Sequence, residues 1–267
     1  MSETNVKVNI DARGVATVLL DRADRHNAFD ENMIAELTAT FESLASNDQL
    51  KLMILRSSGK NFSAGADLDW MKRMANYGHD ENLRDANLLA QMLHTLNYLP
   101  FPTIARVQGA AMGGGAGLVC CCDIAIASDK ASFAFSEARL GLIPATISPY
   151  VLQSIGAQAS RRFFLTAERF DASKALALGM VSEVFAEEEM DAEVEKLVGI
   201  ILANSAEAVK AAKRLIFDIE NQEVNAELLQ MTSERIAEIR ASEEGKEGLA
   251  AFLEKRKPRW LEEMARR

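Results

Sequence analysis

The 267-residue chain is poor in the side chains that most often carry metal or redox chemistry, with only three cysteines, three histidines and two tryptophans. The cysteines are consecutive, Cys120 to Cys122. Neighbours on a helix point about 100° apart and cannot converge on one ion, and no second cluster exists to complete a ligand set. They read as buried thiols that fill a core and stay reduced. His26, His79 and His94 are scattered without the spacing of a zinc-binding helix, so a metal site is not expected. No apolar run approaches the roughly 20 residues that a bilayer requires. The nearest, residues 116–127, is interrupted by Asp123. The N-terminal stretch shows neither a charged-then-apolar leader nor an Arg-rich transit pattern, and the expected compartment is the cytoplasm.

An excess of positive charge is missing too. Thirty basic residues against 39 acidic ones leave a net charge of −9 and a pI near 5.0. Phosphate attraction needs a basic face, so neither nucleic acid nor an anionic membrane is an expected partner. Charge is uneven, however: residues 251–267 carry six Lys/Arg and three Glu, leaving −12 on the rest of the chain. A cationic tail on an acidic body suits one phosphate-bearing ligand. What the chain does have, 48% hydrophobic and 26% charged residues, is ordinary for a globular enzyme with one large core.

Periodicity predicts strands at Val6–Ile10 and Val15–Leu20, then a helix capped by Asp30 that runs through Ile34, Leu37 and Phe41 to about Ala45. Buried strands are expected at Leu52–Leu55 and Thr103–Val107, and a long helix over Glu81–Tyr98 stopping at Pro100. Further strands are expected at Ile124–Ser128, Ser132–Phe135 and Val181–Phe185, with helices dominating from about Ile147. The pattern is α/β with a helical end piece.

Two glycine-bearing stretches stand out. Gly109–Gly117 fails the dinucleotide fingerprint, because the third glycine position holds Leu118 or Cys120, and Gly59 lacks a Walker partner at Ile54. What remains is a strand, a tight turn and an apolar helix, which can aim backbone N–H groups at a ligand or simply allow close packing. Asn61–Asp67 offers a second run of small residues ahead of a helix near Ala66, with Asp67 suited to its cap. Two such donor loops can clamp one oxygen, an arrangement that stabilises an oxyanion by about 3–4 kcal/mol per donor.

The strings Asn61-Phe-Ser-Ala-Gly-Ala-Asp-Leu68, Gln108-Gly-Ala-Ala-Met-Gly-Gly-Gly115, Cys122-Asp-Ile124 and Ser136-Glu-Ala-Arg-Leu-Gly-Leu-Ile-Pro144 resemble the enoyl-CoA hydratase/isomerase (crotonase) family. So do Asp21–Ala28 near the start and Phe252–Lys257 near the end. The resemblance implies a crotonase-like spiral of ββα units over residues 1–200 and a C-terminal helical trimerisation region over 201–267. It implies an acyl-CoA thioester substrate, no separate cofactor, and assembly as a homotrimer or homohexamer. By motif position, the N–H groups of Ala66 and Gly114 would hold the thioester oxygen. Ala64 and Leu68 would border the adenine, Arg25 and His26 would lie near the CoA arm, and Lys255 would approach the nucleotide phosphate, often from a neighbouring subunit.

The family's hydratases typically use two glutamates. The position of the first is Gly117 here; the second matches Glu137, placed among Phe133, Phe135, Leu140 and Leu142, where burial should raise its pKa toward neutrality. One carboxyl permits hydration, with one group in both proton roles, or isomerisation between C2 and C4. The segment Ile143–Tyr150, with Ala116–Leu118 and Asp69–Met74, is similar to bacterial hydratases of 3-methylglutaconyl-CoA, in leucine breakdown, and of isohexenylglutaconyl-CoA. The expected activity is therefore hydration of a branched, carboxylated enoyl-CoA. A Δ3,Δ2-enoyl-CoA isomerase and an inactive CoA-binding oligomer are the alternatives. Arg73, Lys72, Arg139, Ser148 and Tyr150 are candidates for the distal carboxylate. Trp70, Met71 and Met74 read first as a packed helix face, though in this family that helix borders the acyl pocket. Without a G-x-S-x-G elbow, a hydrolase triad is disfavoured.

Overall fold

Apolar side chains three and four residues apart put Met33, Ile34, Leu37, Phe41 and Leu44 on one buried face of the first helix, α1 (Glu31–Ala45). Asp30 caps it, accepting the Met33 N–H at 2.9 Å. The computed structural model describes residues 4–265. Residues 1–3 lie outside that range, as do Arg266 and Arg267, which count toward the cationic tail.

Strands β1 (Val6–Ile10), β2 (Val15–Leu20), β3 (Leu52–Ser57) and β4 (Thr103–Val107) enter one sheet. It is completed by β6 (Ile124–Ser128) and β9 (Glu183–Phe185), in the order β1-β2-β3-β4-β6-β9. Only the β1–β2 pair is antiparallel. Both faces of its centre are covered, which is why Leu52–Leu55 is a continuous apolar run rather than an alternating one. One face carries the main core around α1. On the other, Val15, Leu52, Ile54, Ile104 and Ile126 pack beneath Met190, Val194, Val198 and Leu202 of helix α7 (Met190–Leu202).

A second, smaller sheet has the order β5-β7-β8, with β5 (Ala110–Met112), β7 (Ser132–Ala134) and β8 (Phe170–Asp171). Each spiral turn thus contributes one strand to each layer and then a helix: β4, β5 and α4 (Gly114–Cys121) make one such unit. In earlier turns the second strand shrinks to single bridges, Phe29 with Ala66 and Ser63 with Ala111. Helices α2 (Leu68–Met74) and α3 (His79–Asn97) follow the first of these. Helix α5 (Ser148–Thr166), kinked at Gly156, and α6 (Ala172–Leu178) complete the core.

After α7 only helices follow among the described residues: α8 (Ala206–Ile219), α9 (Ala226–Ala241), α10 (Glu243–Leu253) and α11 (Arg259–Ala265). They are fastened to the core by an ion pair whose lysine is buried. Lys213 of α8 reaches Asp123 at 2.8 Å and donates to the Phe101 carbonyl at 3.1 Å, while Asp123 accepts from the Thr103 N–H at 2.7 Å. No described helix is long and apolar enough to cross a membrane.

Candidate active site

Two loops are sewn together by main-chain bonds. The Ser63 N–H donates to the Ala110 carbonyl at 3.0 Å, and the Met112 N–H donates to the Ser63 carbonyl at 2.9 Å. The loops approach so closely that a Cβ on Gly115 would stand 2.8 Å from both Cβ and the carbonyl oxygen of Ser63. Gly115 lets the loops meet, whereas Gly114, itself packed against the Phe29 ring, keeps an open amide.

The direction of each amide follows from its neighbours. The Gly65 carbonyl accepts from the Phe29 N–H at 2.7 Å. In a trans peptide the N–H points opposite to the C=O, so the Ala66 N–H is turned away from that bridge and toward the cavity that Ala66 lines. Gly114 opens α4, and first-turn N–H groups have no partner within their own helix. The Gly113 carbonyl accepts from Gly117 at 3.0 Å, which sends the Gly114 N–H the other way. Gly113 itself has φ +51, a left-handed value that favours glycine. Neither amide has an acceptor among the described residues.

Both residues line one cavity of about 470 Å³, together with Ala64, Leu68 and Glu137. Glu137 begins a short 3-10 turn, Glu137–Leu140, and its Oε1 lies 3.0 Å from where a Cβ on Gly113 would stand. Its Oε2 is buried with no hydrogen-bond partner in the protein. Burial raises the Glu137 pKa above the ordinary carboxylate value, opposed only by a bond from its own backbone amide. A carboxyl with one oxygen unengaged, set beside two open amides, is equipped to take and return a proton next to a forming oxyanion.

The position of a second glutamate is closed. A Cβ on Gly117 would meet Ile147 Cγ2 at 2.4 Å, so Ile147 fills the space that a side chain there would need. Ile147 also lines the cavity. The apolar wall includes Phe29, Trp70, Met71, Met74, Leu142 and Ile143, with Asn82, Asp85, Ser136 and Thr146 as its other polar side chains. Trp70 is at once packed and part of the wall, and its indole N–H donates to Asp85 at 3.1 Å.

Other candidates lie elsewhere. Arg25 and His26 are exposed beside the first loop. Arg25 pairs with Asp69 at 3.3 Å, and the His26 carbonyl accepts from the Ala64 N–H at 3.0 Å. Lys255 follows α10 with φ +56 and, within one protomer, does not line the cavity. The cationic tail is partly neutralised, since Glu247 binds Arg256 at 2.6 Å and Arg259 at 3.4 Å. The five candidates for a distal carboxylate are corrected by the geometry, because none lines the cavity. Arg73 is turned to Glu31 at 2.6 Å, Lys72 to Asp69 at 2.9 Å, and the Ser148 hydroxyl to the Ala145 carbonyl at 2.8 Å. Arg139 is exposed, and burial pushes the Tyr150 hydroxyl up to about 12. Phe29, Ile147, Asn82 and Asp85 were not singled out as site residues by sequence, although Ile147 lies within the quoted Ile143–Tyr150 segment and Phe29 directly follows the quoted Asp21–Ala28 motif.

The cysteines are inert fillers. Cys121 is buried, Cys120 and Cys122 are half-buried, and burial holds the Cys120 thiol at about 12. No group of three or more His, Cys, Asp or Glu among the described residues could hold a metal ion.

The family model described as Enoyl-CoA hydratase/isomerase matches residues 11–263. A crystal structure of an enoyl-CoA hydratase from Shewanella pealeana is 48% identical, covers 96% of both chains and superposes with a TM-score of 0.92. An enoyl-CoA hydratase from Mycobacterium smegmatis is 32% identical over 97% of this chain and 99% of its own, also with a TM-score of 0.92. A crotonyl-CoA hydratase from Syntrophomonas wolfei is 29% identical over 250 residues, 92% of this chain and 94% of that protein.

Proposed function

Because the chain belongs to the enoyl-CoA hydratase/isomerase family, we propose that it adds water across the double bond of a 2-enoyl-CoA thioester, without a separate cofactor. The observation that carries this reading is the unpartnered, buried Oε2 of Glu137 in a cavity that also presents the Ala66 and Gly114 amides. Ala66 and Gly114 bind the thioester oxygen. Glu137 takes a proton from water as its oxygen attacks C3, the enolate charge settles on the amides, and Glu137 returns the proton to C2. One group serves both steps because Ile147 leaves no room for a second acid. In this reading Ala64 and Leu68 border the adenine, Arg25 and His26 flank the CoA arm, and Lys255 of a neighbouring copy approaches the phosphate.

The finer proposal is a branched, carboxylated acyl group of the 3-methylglutaconyl type. It is supported by the Ile143–Tyr150 segment, part of which walls the cavity. Asn82, Ser136 and Thr146 are the neutral polar side chains there that would meet the distal carboxylate. Single-carboxyl chemistry equally serves the second reading, a Δ3,Δ2-enoyl-CoA isomerase. An open, pKa-raised carboxyl speaks against a purely binding protein. We further propose a reduced, cytoplasmic compartment and a trimer or hexamer of identical chains.

The test is a panel of crotonyl-CoA, a 3-enoyl-CoA and 3-methylglutaconyl-CoA assayed with wild type and Glu137→Gln. Preferred turnover of 3-methylglutaconyl-CoA, lost in Glu137→Gln, is expected. Faster turnover of either other ester overturns the substrate assignment, and near wild-type rates in Glu137→Gln overturn the site.

A further inference from the structure

We infer that Phe29 is a positioning residue that sets the spacing between the Ala66 and Gly114 amides, an inference that rests on the thioester reading above. Its main chain and its ring act on different partners. The Phe29 N–H donates to the Gly65 carbonyl, and the Phe29 carbonyl accepts from the Asp67 N–H, both at 2.7 Å. Phe29 therefore pins both peptides that flank Ala66. Its ring, only 2% exposed as a residue, packs against the other donor: a Cβ on Gly114 would stand 3.0 Å from ring Cε2 and 3.1 Å from Cδ2.

One residue thus grips the first donor through its backbone and buttresses the second through its side chain. The other bonds between the loops, of which Ser63 to Ala110 and Met112 come nearest, stop one residue before Gly113 and three before Ala66. Gly113 is also held by its N–H to the Ala134 carbonyl at 2.9 Å, but Phe29 alone among these both pins the peptides of Ala66 and packs on Gly114. Phe29 also lines the cavity itself. An oxyanion pair is worth most when charge has developed on the oxygen, so misplacing one amide should lower kcat far more than it changes KM.

The probe is 4-(dimethylamino)cinnamoyl-CoA, an enoyl thioester whose absorption moves to the red when its carbonyl accepts hydrogen bonds. Wild type and Glu137→Gln should both shift it. Phe29→Leu keeps the core filled but withdraws the ring edge. It should lose about half of the red shift and about ten-fold in kcat while KM stays within about three-fold. Gly114→Ala forces a methyl group onto the ring, and Phe29→Leu/Gly114→Ala should recover at least about three-fold in kcat over Gly114→Ala.

A full red shift and unchanged kcat in Phe29→Leu overturn the inference while leaving the thioester reading intact. So does a double variant no better than Gly114→Ala. Loss of folded protein with kcat and shift per folded protomer unchanged overturns it as well. Absence of any shift in wild type overturns the thioester reading, and the inference with it.

Discussion

At the scale of single residues, Glu137 binds protons in two measurable ways. As the base of the first step it must be ionised, and burial raises its pKa, so the acidic limb of kcat/KM should lie above the ordinary carboxylate value of 4.5. Glu137→Gln should abolish that limb and lower kcat by about 10²- to 10⁴-fold, read from a pH series of initial rates. The same shift acts on stability. The folded state holds the Glu137 proton more tightly than the unfolded state does. Its contribution is therefore fully present below the unfolded pKa and lost as pH rises through the folded one. Glu137→Gln should raise the melting temperature at pH 8 and leave it unchanged near pH 3, by differential scanning fluorimetry. Gly117 gives a second prediction. Gly117→Glu drives a side chain into Ile147 and should cost about 2–3 kcal/mol in urea unfolding. Gly117→Glu/Ile147→Ala should recover most of that loss, because the smaller residue vacates the space.

At the scale of elements, two helix caps meet at one cation. Asp30 caps α1 and Asp67 caps α2, Asp67 accepting the Asp69 N–H at 2.8 Å. Arg22 joins them, at 2.8 Å to Asp30 and 3.2 Å to Asp67, with the three side chains 18%, 13% and 5% exposed. Arg22→Met would leave two mostly buried carboxylates unpaired and should cost about 3 kcal/mol, seen as a lower urea midpoint with an unchanged slope. Arg22→Lys should recover part of it. Elements of this kind were legible where periodicity and caps coincide: α1 begins directly after Asp30, and β4 spans the predicted Thr103–Val107. Others were displaced for local reasons. Helix α2 begins at Leu68 rather than near Ala66, because Ala66 is held extended by its bridge to Phe29. Strand β3 continues through Arg56 and Ser57, whose polarity disguised the strand's end. Strands β5 and β8 were not anticipated, since three and two residues give no period to read. Both donor loops were visible as small-residue runs. Their convergence was not, because it depends on pairings between residues as distant as Phe29 and Ala66 or Ser63 and Ala111.

At the scale of the whole molecule, the C-terminal helices are held to the core at Lys213 yet turn large apolar side chains outward. Ile216, Leu229, Phe252 and Leu253 are 61%, 59%, 80% and 78% exposed, and Val224, in the loop between α8 and α9, is 77% exposed. Apolar groups gathered on one helical region to this degree mark an interaction surface, and identical copies of the chain are the occupant proposed above. Light scattering should find three or six protomers in wild type, and Phe252→Asp should shift the distribution to smaller species. The active site offers an independent reading of the same surface. Lys255, three residues after Phe252, does not line its own protomer's cavity, which fits the proposed contact with a CoA phosphate held by a neighbouring copy. Lys255→Ala should raise KM for CoA esters by about three-fold, the worth of one exposed ion pair, with kcat unchanged and assembly intact. Phe252→Asp should raise KM by at least as much through dissociation. An unchanged KM in dissociated Phe252→Asp protein would mean that each chain binds CoA alone, and that the cationic tail has no part in the site.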